Sequence, residues 1–224
     1  LSIRIEAARV VSPLRSMLPV SLQDSFRNAE RDLIAAMQAI AERPEAHGNL
    51  GNNFADAGNV DLAISAFQTS LRLDPRAIGS RSNLADFYRR LDRDDDAESL
   101  LREGIELDAD AAALRHSLGL LLVRQERPEE GLNELRRAAE IDYTNARYLY
   151  VYAVALNSLG QAGDAVDLLQ RGSESFPADF DIHWALATML RDQGRTDAAK
   201  EVAGNMAVRY PEAQPVKDLL NSLQ

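Results

Sequence analysis

The sequence predicts an all-α array of stacked helix-turn-helix units, and three observations carry that prediction. A 34-residue period runs without insertion through five units starting at Pro44, Ile78, Ala112, Ala146 and Phe180. Large apolar side chains keep their own columns: unit position 7 reads Leu50, Leu84, Leu118, Tyr152, Leu186, and position 11 reads Phe54, Tyr88, Leu122, Leu156, Leu190. Very small residues keep others: position 8 reads Gly51, Ala85, Gly119, Ala153, Ala187, and position 20 reads Ala63, Ala97, Gly131, Ala165, Ala199. A unit of this length cannot bury its apolar face alone, and does so by stacking on copies of itself.

The elements follow in order. Residues 1–20 hold a short helix, Ile3 to Val10, which Ser12-Pro13-Leu14-Arg15 and Leu18-Pro19 bring to an end. Ser21 to Glu42 carries Leu22, Phe26, Ala29, Leu33, Ala36, Met37 and Ile40 at helical spacings, a long amphipathic helix. Counted back one period, Ala29 and Leu33 take positions 20 and 24, so residues 21–43 read as an N-terminal cap built like the second half of a unit. The repeats occupy 44–77, 78–111, 112–145, 146–179 and 180–213. In each, a first helix of about a dozen residues ends near position 15, at Gly58, Asp92, Glu126, Gly160 or Gly194. Glycine there suits the left-handed residue that terminates many helices. The second helix starts near position 17 or 18, where Asp61, Asp95, Glu129 and Asp197 complement the helix dipole and Pro128 loses no hydrogen bond. Positions 7, 11 and 24 (Phe67, Leu101, Leu135, Leu169, Ala203) fill the space around the small-residue contact between positions 8 and 20. The fifth repeat, with Ala203 and Met206 at positions 24 and 27, is expected to pack more loosely. Residues 214–224 place Val216, Leu219, Leu220 and Leu223 at helical spacing, a C-terminal cap.

These columns resemble the tetratricopeptide repeat (TPR) family over residues 44 to 213. The resemblance implies a right-handed α-α superhelical solenoid that binds protein segments on its concave face. The octet Ile3-Arg4-Ile5-Glu6-Ala7-Ala8-Arg9-Val10 resembles the second helix of a HEAT repeat. Together with Arg43-Pro44-Glu45-Ala46-His47 and the run Tyr148 to Leu156, it resembles the HEAT and TPR C-terminal region of bacterial multihaem c-type cytochromes. That resemblance implies export to the periplasm and a cytochrome part before Leu1. The start at Leu1, without an initiator Met, leads to the same expectation of a processed or excised segment.

Composition narrows the function classes. The absence of cysteine excludes disulfides, thiolate metal sites and Cys-x-x-Cys-His haem attachment within these 224 residues. With 35 acidic against 25 basic residues the net charge is −10, which disfavours nucleic acid and anionic lipid as partners. No apolar stretch, Leu118 to Val123 included, approaches the length needed to cross a membrane.

No motif points to catalysis or to a cofactor. His47, His116 and His183 lie in separate repeats without the i, i+4 pairing of a helical metal site, and His47 and His183 read as packing residues. Asp92-Arg93-Asp94-Asp95-Asp96 with Glu103 has the outline of a calcium loop, but Ala97 stands where that loop needs glycine and is itself a packing alanine.

The TPR resemblance assigns the concave face to first-helix positions 2, 5, 6, 9, 12 and 13. In the middle three repeats these columns give Arg89, Arg90, Arg124 and Arg147 against Asp86; the outer two give Glu45, Asp56, Asp181 and Asp192 against Arg191. A basic centre suits an acidic peptide or carboxylate, and equally allows the arginines to pair with neighbouring carboxylates. Asn49 and Asn83 at position 6, with Asn52 at position 9, form a two-rung asparagine ladder of the kind that hydrogen-bonds an extended peptide backbone; it stops at Ser117 and Val151. Gly48, Ala113 and Ser117 stand where the family's chaperone-tail clamp has cations, which disfavours that ligand. Position 5 grows in ring size, from Gly48 and Ser82 to His116, Tyr150 and Trp184; these rings either anchor a partner or pack against adjoining helices. The expected function is a non-catalytic scaffold for a peptide or protein segment. The alternative is a structural or oligomerisation module that positions an adjacent domain.

Overall fold

The computed structural model describes residues 7, 8, 11, 17–38 and 42–223. Of the expected N-terminal helix only Ala7 and Ala8 fall within this range, and both are helical. The break at Ser12-Pro13-Leu14-Arg15 and the last turn of the capping helix, with Ile40, lie outside the described residues. Twelve α-helices and no strand are found among the described residues. The chain divides into two compact halves, Leu1–Ser117 and Leu118–Gln224.

The N-terminal half contains α1 (Val20–Gln38), α2 (Pro44–Asp56), α3 (Val60–Leu73), α4 (Ile78–Arg90), α5 (Asp94–Leu107) and the first turns of α6 (Ala112–Arg124). Ala29 and Leu33 of α1 pack with Ala8, Leu50 and Ala66 into one buried cluster. The small-residue contact is tight. A β-carbon on Gly51 would lie 2.6 Å from the ring of Phe67, which is itself buried. Burying a ring or aliphatic side chain of this size contributes about 1.5–3 kcal/mol, and the missing β-carbon is what lets the two helices come close enough to do it.

The C-terminal half contains the rest of α6, then α7 (Pro128–Ile141), α8 (Ala146–Ser158), α9 (Ala162–Ser175), α10 (Phe180–Asp192), α11 (Thr196–Arg209) and α12 (Gln214–Ser222). A β-carbon on Gly119 would lie 2.7 Å from Leu135 and 2.9 Å from the carbonyl oxygen of Gly131, so the backbones at positions 8 and 20 approach closely, as expected. Ala165 and Leu169 of α9, Ala187 and Leu190 of α10 and Ala199 of α11 share a core, and Leu219 and Leu223 close it at the C-terminal end. Ala203 and Met206 are both buried, because α11 carries small residues at positions 20 and 24 and can lie close to α10.

All five helix-to-helix turns close with the same backbone bond. The N–H of position 16 donates to the carbonyl of position 11: Asn59 to Phe54 at 2.9 Å, Arg93 to Tyr88 at 3.0 Å, Arg127 to Leu122 at 2.9 Å, Gln161 to Leu156 at 3.0 Å and Arg195 to Leu190 at 2.9 Å. This bond requires a left-handed residue at position 15. Gly58, Gly160 and Gly194 provide it with φ of 75°, 77° and 73°, while Asp92 and Glu126 adopt φ of 55° and 61°. In those two turns the following arginine braces the junction. Arg93 Nε donates to Asp96 at 2.7 Å with its guanidinium 4.4 Å from the Tyr88 ring, and Arg127 binds Glu130 through two nitrogens at 2.7 and 2.8 Å. The aspartate run after Asp92 is therefore the first turn of α5, and Ala97 is buried beneath it.

Candidate functional site

In the N-terminal half, α2, α4 and the loop between α3 and α4 enclose a depression of about 250 Å³. Three of the residues expected to bind a peptide, Asn49, Asn52 and Asn83, line it together with Glu45, Asp74 and Ser80. Its floor is set by Gly48, where a β-carbon would fall 2.5 Å from Ser80 Oγ; α2 and α4 approach too closely there for any side chain. Two hydroxyls lock the approach. Ser70 Oγ donates to the carbonyl of Pro44 at 2.7 Å and stands 2.7 Å from Ser80 Oγ. A carbonyl only accepts, so Ser70 commits its proton to Pro44 and Ser80 must donate to Ser70. The asparagine amides thus project from a floor with no freedom to slide, and each can both donate to and accept from a peptide backbone. The charged groups lining the depression are the carboxylates Glu45 and Asp74, with no cation among them.

Asp86, Arg89 and Arg90 sit further along α4 and do not line this depression. Arg89 pairs with Asp86 at 3.3 Å across one helical turn, and the Arg90 guanidinium lies 5.1 Å from the Phe87 ring centre. His116 departs from the expected groove position: it is 8% exposed and belongs to the interior. Gly48, in the same column, is buried as well, whereas Ser82, Tyr150 and Trp184 are half-buried.

In the C-terminal half, Arg124 is exposed at the end of α6 and Arg147 in the first turn of α8, where its N–H donates to the Asn145 side chain at 3.2 Å. Tyr150 and Trp184 are half-buried and pack against the core of this half. Trp184 stacks on Phe180 with ring centres 6.0 Å apart, and Phe180 meets Tyr210 edge-on at 5.2 Å. Tyr152, which replaces leucine at position 7, is also half-buried. Burial pushes its phenol above the ordinary range; Arg136 opposes this, and Glu140 and Asp164 add to it.

Sequence reasoning missed Arg81. At position 4 of the second repeat it is 3% exposed, donating to the carbonyls of Leu100 and Pro75 at 2.9 Å each and reaching Glu103 at 3.2 Å. The available signal was Gly104 at position 27 of the same repeat, where a β-carbon would fall 2.3 Å from Arg81 Cδ.

Comparisons with known proteins bear on the repeat fold. One tetratricopeptide repeat model matches residues 54–121, and a second matches residues 23–78, 116–172 and 158–213. No curated protein matches the chain in sequence. Among solved structures, yeast Tom70 is 18% identical over 98% of this chain and 46% of its own, with a TM-score of 0.75, so the chain spans about half its length. PilF of Pseudomonas aeruginosa is 15% identical over 97% of this chain and 99% of its own, with a TM-score of 0.63. YrrB, described as a TPR protein with an unusual peptide-binding site, is 17% identical over 82% of this chain and 95% of its own, with a TM-score of 0.60. At these identities the likeness is one of fold.

Proposed function

Because the chain belongs to the tetratricopeptide repeat family, we propose that it is a non-catalytic scaffold that holds an extended protein segment at the depression in its N-terminal half. The observation that carries this reading is the convergence of Asn49, Asn52 and Asn83 on one depression with a rigid floor. Amides serve an extended backbone because they satisfy its N–H and C=O groups without regard to side chains, and the peptide-binding site named for YrrB lends support. The lining carboxylates Glu45 and Asp74 favour a neutral or basic segment there over the acidic one expected for the arginine columns. Export, and service beside an electron-transfer region as the cytochrome resemblance implies, belong to the same proposal.

The test is a panel of extended peptides, differing in charge, titrated against the full chain. Replacing Asn49 and Asn83 with alanine together is expected to weaken the best binder about tenfold or more, since two hydrogen bonds of about 1 kcal/mol each are lost. Both side chains lie outside the core, so the thermal midpoint should not move. Undiminished affinity in the variant would favour the alternative, a structural module whose groove is empty in use.

A further inference from the structure

We propose that the C-terminal half carries a second binding site, specific for a peptide carboxylate that stands beside an aliphatic side chain. The site is a depression of about 490 Å³ beside α10 and the last turns of α11, lined by His183, Asn205, Met206, Val208, Arg209 and Tyr210. None of these residues belongs to the first-helix columns that the repeat devotes to its groove, and no carboxylate is among the lining residues.

The polar groups are free to receive a ligand. Among the described residues the Arg209 side chain has neither an ion pair nor a hydrogen bond, and the Asn205 amide is likewise unengaged. Of the neighbouring carboxylates, Asp179 caps α10 by accepting from the Ile182 N–H at 2.9 Å, and Glu212 lies 3.9 Å from Lys217. An unpaired guanidinium offers a carboxylate two parallel donors. His183 adds an acceptor. Its Nδ1 lies 2.8 Å from the carbonyl oxygen of Asp179, which can only accept, so Nδ1 carries a proton and Nε2 is the ring nitrogen left to meet a ligand, accepting a peptide N–H in the Nδ1–H tautomer.

The remaining lining is apolar. Met206 is buried at the base, Val208 is 85% exposed, and Tyr210 spends its hydroxyl on the carbonyl of Ala178 at 2.6 Å and its ring on Phe180, leaving one aromatic wall. A cation, an amide and a single acceptor beside an apolar wall match a carboxylate with an aliphatic neighbour, and the volume falls within the range of small-ligand pockets. The carboxylate can be the C-terminus of a chain or the side chain of an acidic residue.

Three peptides carrying an uncharged, carboxylate-free fluorophore at the N-terminus, titrated by anisotropy against the full chain, test the proposal and separate those two sources. They are Ser-Gly-Ser-Leu with a free C-terminal carboxylate, the same peptide amidated, and amidated Ser-Gly-Glu-Leu. At least one carboxylate-bearing peptide is expected to bind about tenfold or more tightly than the neutral amide, and whichever does identifies the source. Arg209→Gln should abolish that preference without moving the thermal midpoint, because Arg209 is exposed. The Asn49→Ala, Asn83→Ala variant should keep it, which separates this site from the N-terminal one. Equal binding of all three peptides, no binding up to about 1 mM, a preference that survives Arg209→Gln, or one lost with the asparagines would each overturn the proposal.

Discussion

In the second repeat Arg81 crosses the face of Gly104, and in the fourth Leu149 crosses the face of Gly172. The two contacts lie in different halves of the chain and use opposite chemistry at the same pair of repeat positions. A β-carbon at Gly104 would fall 2.3 Å from Arg81 Cδ and 2.6 Å from Leu114 Cδ1; one at Gly172 would fall 2.7 Å from Leu149 Cδ2. What these two repeats demand at position 4 is volume over a missing side chain. A cation satisfies that demand when its nitrogens find acceptors, as Arg81 does on the carbonyls of Pro75 and Leu100. An aliphatic residue needs no acceptor, and leaves the helix-to-helix contact without polar anchors.

Removing the side chain breaks the comparison most severely. Arg81→Ala should cost about 3 kcal/mol in urea unfolding, because it opens a void over Gly104 and deprives the carbonyl of Pro75 of its donor. Arg81→Leu, which imports the fourth repeat's solution, should recover the packing and leave a cost of about 1 kcal/mol for the unmet carbonyl of Pro75. If both variants unfold at the same urea concentration, volume is not what position 4 supplies.

Filling the two glycines is a smaller perturbation with a clearer sign. In Gly104→Ala the new methyl meets the middle of an arginine whose end is held by three acceptors, so the neighbour cannot withdraw, and about 2 kcal/mol should be lost. In Gly172→Ala it meets the free end of a half-buried leucine that can rotate away. The better helix propensity of alanine, about 1 kcal/mol, should then bring that variant close to wild type. The reverse order of midpoints would overturn the assignment of Arg81 as the rigid partner.

The weakest effect expected is at Tyr152, also in the C-terminal half. Its phenol titrates above its ordinary value near 10 in the folded chain, so the folded state holds that proton more tightly than the unfolded one. The resulting stability is complete below pH 10 and is lost as pH rises through the higher folded value. Tyr152→Phe should make the alkaline decline in thermal midpoint shallower. A decline as steep as in wild type would assign it to other groups.

The helices, the turns and the small-residue contacts were legible in the sequence because each depends on residues at a fixed spacing. Gly58, Gly160 and Gly194 announce the left-handed position, and Asp92 and Glu126 could be placed by column alone. The asparagines of the N-terminal depression were legible for the same reason, since Asn49 and Asn83 are one period apart. Glu45 was visible as a column charge, but its convergence with Asp74 depends on how the loop before α4 folds back beside α2. His116 was misplaced because a column fixes a direction and not a depth.

The sequence by itself determined the repeat, its register, the helix ends and the absence of cysteine chemistry, because these follow from local spacing and residue type. Only the tertiary structure decided that Arg81 is interior, that Ser70 and Ser80 share a proton chain beneath the asparagines, and that Arg209 and Asn205 stand unpaired beside His183. Each of these depends on distances between helices that the 34-residue period leaves free, and small residues such as Gly48 and Gly104 set those distances through side chains they lack.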